Sequence, residues 1–345
     1  MRAAIVGVGF MGWIHYLAYQ ASGQAELVAF CSRDAAKRAG DWRGIQGNFG
    51  PPGEQIDVSG LNTYATLDQM LQDPTVDLVD ICLPPHLHAE TIAKCLAAGK
   101  YVLCEKPLAL DGLTAAKLAS QAAPGQLMVA HILPFMPEFQ MLVDAARDGR
   151  YGKVLGGHFK RLIGPPDWIP DFYDVDSVGG PLIDLHVHDA HLICMLFGMP
   201  RSVFTRGRMR AQTAQYFEST FATSDPAVVI SATGGVIDQP GRPFTHGFEV
   251  HFEKATLRHE SAAYSDGTSD VVPLVILHAD GRVERPQFPP ADATTAFVSE
   301  LDAAAATVAG QAVHPALDST NAADALRLCD AQLQSLKQGC IVSTA

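Results

Sequence analysis

The sequence predicts an α/β protein in two parts. A doubly wound parallel sheet comes first, and an α+β domain built on a large, mainly antiparallel open sheet follows. Three observations predict this. Gly7-Val8-Gly9-Phe10-Met11-Gly12 lies directly between an apolar strand and a helical run. Strand and helix patterns then alternate to about residue 124. From Lys153 onward strand patterns dominate, and many alternate apolar with polar residues. The division expected is therefore 1–124 and 125–345, a natural count for 345 residues.

Bulk numbers exclude several classes. At 48% apolar and 18% charged the chain is globular. A net charge of -12, with Lys and Arg scattered, excludes a nucleic-acid partner, which needs a basic face. The seven cysteines form no C-x-x-C pair and mostly sit in apolar runs, as expected of reduced core residues in a cytoplasmic protein. The apolar opening is broken by Gly7, Gly9, Gly12 and His15, so no secretory signal is expected. No stretch reaches 18 apolar residues, so no membrane partner is expected either.

The first strand covers residues 3–6 and the first helix 13–21. In G-x-G-x-x-G the first glycine permits a tight turn and the second lets a pyrophosphate approach the backbone. The third allows close helix–strand packing. With Phe10 and Met11 between them, Gly7, Gly9 and Gly12 predict a dinucleotide-binding Rossmann domain. The second strand, 26–31, should end on the residue that reads the ribose. Here Ser32-Arg33 occupies that place, with Asp34 next. A hydroxyl and a guanidinium suit a 2'-phosphate, which favours NADP over NAD. The alternative is that Arg33 stacks on adenine and Asp34 serves NAD. Residues 40–60, rich in Gly and Pro, read as a solvated loop, an insertion near the adenosine end being the alternative.

A helix at 67–71 precedes a strand at 76–83, which ends in Pro84-Pro85-His86-Leu87-His88. After a helix at 89–98, the strand 101–104 ends in Glu105-Lys106-Pro107, and a further helix spans 112–122. Ligands on such sheets bind beyond the carboxyl ends of strands, where Pro84, His86, His88, Glu105 and Lys106 all lie. The runs Ile81-Cys82-Leu83-Pro84-Pro85-His86-Leu87-His88 and Ala98-Gly99-Lys100-Tyr101-Val102-Leu103-Cys104-Glu105-Lys106-Pro107 resemble the Gfo/Idh/MocA family of NAD(P)-dependent oxidoreductases. The resemblance covers most of the chain, and the A-G-K-x-V-x-x-E-K-P string is its most specific part. His86 departs from it, standing where the family usually has Asn. The resemblance implies that Lys106 belongs to the active site. Chemistry agrees, since a lysine at a strand end can stabilise a developing alkoxide.

His131 follows a strand at 127–130 and is a substrate candidate, a core histidine being the alternative. In the family the next residues often include arginines. Leu133 and Pro134 stand there, so no charged substrate clamp carries over. A helix is expected from Pro137 to Arg147. Strands are expected at 153–161, 201–209, 214–222, 227–234, 244–253, 255–260 and 271–278. His246, Phe248, Val250 and Phe252 point one way, Glu249, His251 and Glu253 the other. A large open sheet with an apolar free face makes an oligomer interface, and the resemblance implies homodimers or homotetramers through it. Lys160 and Arg161 point to opposite sides of their strand, so one of them is expected at the substrate. The loop after them, with Asp167 and Trp168, suits a sugar by stacking and hydroxyl bonding, a rigid connector being the alternative. Helices at 295–309 and 318–338 close the chain, the second predicted to pack back on the first domain.

The stretch 179–191 allows two chemistries. As a strand it would align Asp184, His186 and His188 for a metal. As a helix it aligns Asp184, His188 and His191, within about 60° on the wheel. Gly179-Gly180-Pro181 before it and Gly198 after it favour a single helix of 17 residues, with no metal. The family pattern G-G-x-x-x-D-x-x-x-H then implies Asp184 and His188 as the catalytic pair. His186 is turned away, and His191 remains a substrate candidate. The expected activity is NAD(P)-dependent oxidation of a secondary alcohol of a sugar, inositol or related polyol. Glycoside cleavage through transient oxidation and a nucleotide-binding sensor are the alternatives.

Overall fold

The structure, a computed structural model, describes every residue except 167, 168, 170, 290, 291, 293 and 345. It divides into two compact units: Met1–Ala109 with Thr114–Phe135 and Pro290–Ala322, and Leu110–Leu113 with Met136–Pro289 and Ala323–Ala345. The predicted boundary at 124 therefore falls short, because the sixth strand of the first sheet ends only at Ala130.

In the first unit the strands are β1 (Arg2–Val6), β2 (Glu26–Cys31), β3 (Asn62–Tyr64), β4 (Leu78–Ile81), β5 (Tyr101–Glu105) and β6 (Leu127–Ala130). Between them run α1 (Phe10–Ala21), α2 (Ala35–Arg38), α3 (Leu67–Leu71), α4 (His88–Ala97) and α5 (Gly112–Gln121). The sheet order β3-β2-β1-β4-β5-β6 is parallel throughout, so the chain reverses its winding between β1 and β4. That reversal opens a crevice at the strands' carboxyl ends, where the glycine loop stands. Every residue of β4 and β6 is buried, as a sheet covered on both faces requires.

The loop expected to be solvated is not. Trp42, Ile45 and Ile56 are buried, and the indole of Trp13 donates to Pro51 O at 2.9 Å. Phe49 meets Phe10 edge-on. Aromatic burial overrides the Gly/Pro signal here, because a ring buries far more area than a short turn exposes.

The second unit holds α6 (Pro137–Asp148), β7 (Val154–Ile163), α7 (Val187–Phe197), β8 (Ser202–Arg210), β9 (Thr213–Ala222), β10 (Val229–Val236), β11 (Phe244–Phe252), β12 (Ala255–Ala263), β13 (Ser269–His278) and β14 (Val283–Glu284). The predicted strands lie within three residues of these at either end. Next in sequence, α8 (Thr295–Val308) belongs to the first unit, against α1. The closing helix α9 (Ser319–Gln338) falls mostly in the second, and β15 (Val342–Ser343) pairs with β8. The sheet order is β14-β13-β12-β11-β7-β10-β9-β8-β15. Every described pairing is antiparallel except β7 with β10.

Along β11, Phe248, Val250 and Phe252 are buried, with Phe139 of α6 against Phe248. The other face differs from the apolar surface expected. Across β7, β11 and β12 it carries Lys160 paired with Glu260 and Arg258 beside Glu249.

Candidate functional site

The glycine loop has the shape of a phosphate cradle. Gly7 adopts φ +100°, and a Cβ there would lie 2.6 Å from Cys82 O. A Cβ on Gly12 would lie 2.2 Å from Gly7 O, so helix and loop touch backbone to backbone. A Cβ on Gly9 would meet nothing within 4 Å, which leaves the middle of the loop open. Gly9 also caps α1 without a side-chain bond, and no acidic residue stands in the first turn. The first amides of α1 therefore face an uncapped, electropositive end. Phe10 and Met11 begin that helix and are half-buried. These features fit a dinucleotide pyrophosphate.

At the end of β2, Asp34 is occupied. Its Oδ1 accepts from the amides of Ala36 and Lys37 and so caps α2. Arg38 donates to Ser32 O and Arg33 O, while Arg33 itself is exposed. Lys37 Nζ donates to Val8 O at 2.6 Å, which fixes a cation on the glycine loop. No spacing rule singles out Lys37 in the sequence, since nothing local tells that the lysine of this short helix folds over the loop.

Beyond β4, Pro84 and His86 are exposed. His88, expected at the cofactor, is fully buried instead. Its Nδ1 lies 2.7 Å from Pro107 O and its Nε2 2.7 Å from Leu83 O. It ties the loop after β4 to the loop after β5 and so positions them both. Glu105 is likewise internal, 6% exposed. Its carboxylate meets His15 Nε2 at 3.0 Å and accepts the Lys106 amide at 3.1 Å. Lys106 is half-buried at the strand's mouth. His131 is buried at the end of β6.

In the second unit, the predicted uniform helix is not formed. Pro181–His186 winds as a π-helix, and α7 begins only at Val187. The wider turn departs from the 100° step used for the wheel. Gly179 and Gly180 both take positive φ, +87° and +74°. Added Cβ atoms there would lie 2.6 Å from Ile183 and 2.5 Å from Thr213. Glycine is thus demanded twice, by dihedral and by space.

From Pro181 to Cys194 only Asp184 and His188 escape full burial. They are the polar pair this segment presents. His191, a substrate candidate, is 1% exposed and lies in the interior. His186 is fully buried. It packs edge-on against Phe217, its Nε2 is 3.1 Å from Gln332 Nε2, and its Nδ1 is 3.6 Å from Asp189.

Asp189 is buried and takes both Arg161 nitrogens, at 2.8 and 3.2 Å. Burial pushes the Asp189 carboxyl up, but Arg161 and His186 outweigh that and hold it below the usual carboxylate range. Arg161 therefore anchors α7 to β7 and is spent on that ion pair. Lys160 lies on the opposite face of the sheet, paired with Glu260, with β7 between it and α7. Both residues, one of them expected at the substrate, are thus held in ion pairs. Asp167 and Trp168 lie outside the described residues. Later in the sequence, Ile169, Tyr173 and Val178 pack on Ile163, Phe172 and Leu185, which joins them to the π-helix.

The strand-type metal face of Asp184, His186 and His188 is not adopted. Among the described residues, the His, Cys, Asp and Glu atoms close enough to share an ion are those of His15, Asp80 and Cys82. These are bonded to one another, and burial pushes the Cys82 thiol up to about 12, so it is not the thiolate a metal needs.

Residues 1–131 match the model of an oxidoreductase family with an NAD-binding Rossmann fold, and residues 139–258 match the GFO/IDH/MocA C-terminal domain. Inositol 2-dehydrogenase of Rhizobium meliloti (strain 1021) is 26% identical over 360 aligned residues, covering 100% of this chain and 99% of that protein. The dTDP-3,4-didehydro-2,6-dideoxy-alpha-D-glucose 3-reductase of Saccharopolyspora spinosa is 27% identical over 73% of this chain and 71% of its own length. The structure of levoglucosan dehydrogenase in complex with NADH superposes with a TM-score of 0.78, at 19% identity, over 100% of this chain and 99% of that one. The fold, the glycine cradle and both matched domains agree: this chain belongs to the Gfo/Idh/MocA family of NAD(P)-dependent oxidoreductases.

Proposed function

We propose that the protein oxidises a secondary alcohol of a sugar, inositol or related polyol, or reduces the matching ketone, with Lys106, Asp184 and His188 as its catalytic residues. The observation that carries this is that, between Pro181 and Cys194, Asp184 and His188 alone escape full burial. The relatives' names, inositol and sugar dehydrogenases and reductases, support the substrate class. When bound, the nicotinamide supplies the hydride acceptor or donor. His188 takes the hydroxyl proton in the oxidative direction and returns it in the reductive one. Asp184, in a partly open position four residues earlier, supports the charge that His188 gains. Lys106 stabilises the alkoxide oxygen as positive charge beside it.

His188→Ala is expected to lower kcat by roughly 10²–10⁴-fold, the usual worth of a positioned acid–base. Cofactor binding, read by quenching of intrinsic fluorescence, should persist in that variant and in Lys106→Ala. Full turnover in either would remove that residue from the mechanism. Binding without turnover in the wild type, across a panel of sugars and polyols, would favour the nucleotide-sensor alternative.

The cofactor reading is NADP. Asp34 is occupied as a helix cap, while Arg33, Lys37 and Arg38 stand at the end of β2 and beside the glycine loop. Charge-assisted bonds of this kind contribute ~1.5–3 kcal/mol each. Arg33→Ala should therefore lower kcat/KM for NADP about 10- to 100-fold and leave that for NAD nearly unchanged. An equal loss with both cofactors would contradict the assignment.

Copies of the chain associate in this reading through the outer face of the large sheet, in a cytoplasmic homodimer or homotetramer. Because that face carries Lys160–Glu260 and Arg258–Glu249, the assembly is salt-sensitive. Light scattering at rising ionic strength checks it, and a monomer at every salt concentration would contradict it.

A further inference from the structure

The first unit buries a polar cluster that the proposed chemistry does not use. His15 projects from α1 into the interior and is 1% exposed. Its Nδ1 lies 2.8 Å from Asp80 Oδ2 and its Nε2 3.0 Å from Glu105 Oε1. Tyr19, one turn further along α1, donates its hydroxyl to the same Asp80 oxygen at 3.0 Å, and the Cys82 thiol donates to Asp80 Oδ1. Glu105 Oε2 accepts the backbone N–H of Lys106 at 3.1 Å. An unbroken path of hydrogen bonds thus runs from α1 through a single imidazole to the peptide that carries the lysine.

The charges are arranged to be rigid. Burial disfavours an imidazolium, but the Asp80 carboxylate beside it outweighs that and holds His15 well above the usual histidine range. A charged ring donates from both nitrogens, one to each carboxylate, and charge-assisted bonds of this kind are short and directional. A third carboxyl, Glu300 of α8, is fully buried nearby and has no hydrogen-bond partner among the described residues. Burial pushes it up, which favours its neutral form. Burying ions is costly, and an apolar cluster of equal volume would hold the sheet as well. What apolar packing cannot supply is an oriented carboxylate beneath the Lys106 amide.

We infer that His15 is a positioning residue for Lys106. Clamped between Asp80 and Glu105, it fixes the Glu105 carboxylate that holds the Lys106 backbone and so sets the direction in which the lysine projects. The inference rests on the catalytic reading of Lys106 for its consequence, but its structural part stands apart from that reading.

The test separates the two. His15→Ala and His15→Gln are compared with wild type in a Lys106 and in a Lys106→Ala background. Three quantities are measured: kcat, the cofactor Kd, and hydrogen exchange of the Lys106 amide in the intact enzyme. Freed of its partner, the amide should exchange about tenfold faster or more. In the Lys106 background kcat should fall about 10- to 100-fold, as for a reacting group displaced by about an ångström, with Kd unchanged within about threefold. In the Lys106→Ala background the His15 substitution should add no further loss, since there is no lysine left to aim.

Unchanged amide exchange overturns the inference, as does a kcat loss that adds fully in the Lys106→Ala background. If Lys106→Ala itself turns over normally, the catalytic reading fails, and amide exchange alone then judges the clamp. Where His15→Ala does not yield folded protein, His15→Gln, which keeps one donor in the cluster, and Glu105→Gln, which keeps an acceptor for the Lys106 amide, bracket the effect. Glu105→Gln should then be the milder of the two, and the reverse order contradicts the proposal.

Discussion

His246 lies among Phe139, Phe244 and His259 in the interior of the second unit, 7% exposed. Burial, the Arg161 charge and His259 together push it down to about 3. The unfolded chain holds it near 6.5. The folded state therefore prefers the neutral ring. Its contribution is complete above pH 6.5 and is lost as pH falls from there toward 3. His246→Phe should flatten that part of the acid-induced fall in Tm, and an unchanged pH profile would contradict this. Arg161 is the other decisive residue of this interior. Arg161→Ala strands Asp189 in the core and is expected to cost ~3–5 kcal/mol in urea unfolding. Arg161→Met with Asp189→Leu should recover most of it. At this scale a motif in the sequence marks Lys106, Asp184 and His188, which the structure leaves incompletely buried. His15, Asp80 and Asp189 are not marked, because their partners lie far away in the chain and no spacing rule joins them.

Among the elements, the turn before α7 asks most of its residues. Gly180→Ala puts a Cβ 2.5 Å from Thr213 Cγ2 at a φ of +74°. The left-handed backbone alone costs ~1–2 kcal/mol, and the contact adds to it. A loss above ~2 kcal/mol is expected, partly restored by Thr213→Ala, and a neutral effect would show that the turn has another way to pack. The sequence announced this break through Gly-Gly-Pro but not the π-helix that follows. Proline at a first helical turn reads alike in either helix, and what distinguishes them is the fit of Ile183, Leu185 and His186 into the interior. Alternation located all seven long strands of the second sheet to within three residues. The short β3, β14 and β15 carry too few residues to alternate, and pairing with a neighbour is what defines them.

For the whole molecule, the order of strands and helices in the first unit and the glycine spacing sufficed to read the topology, since right-handed crossovers leave few alternatives. The boundary between units was less legible. Leu110–Leu113 groups with the second unit and Pro290–Ala322 with the first, so the chain passes between the units more than once. A linear reading looks for one break. Neither did composition reveal that the outer face of the large sheet is charged, because alternation tells which residues share a face and not which face is covered. The chain's net charge of -12 disfavours a polyanionic partner held by a broad field.

The central claim is that this enzyme moves a hydride to or from a carbinol under the control of His188. The measurement that tests it most directly is reduced-cofactor absorbance on mixing enzyme with NADP or NAD and a panel of inositols, sugars and linear polyols, wild type beside His188→Ala. The account predicts cofactor reduction by at least one cyclic polyol or sugar, and a fall of roughly 10²–10⁴-fold in the variant with cofactor still bound. No reduction by any member of the panel, or equal rates in the two proteins, would contradict it.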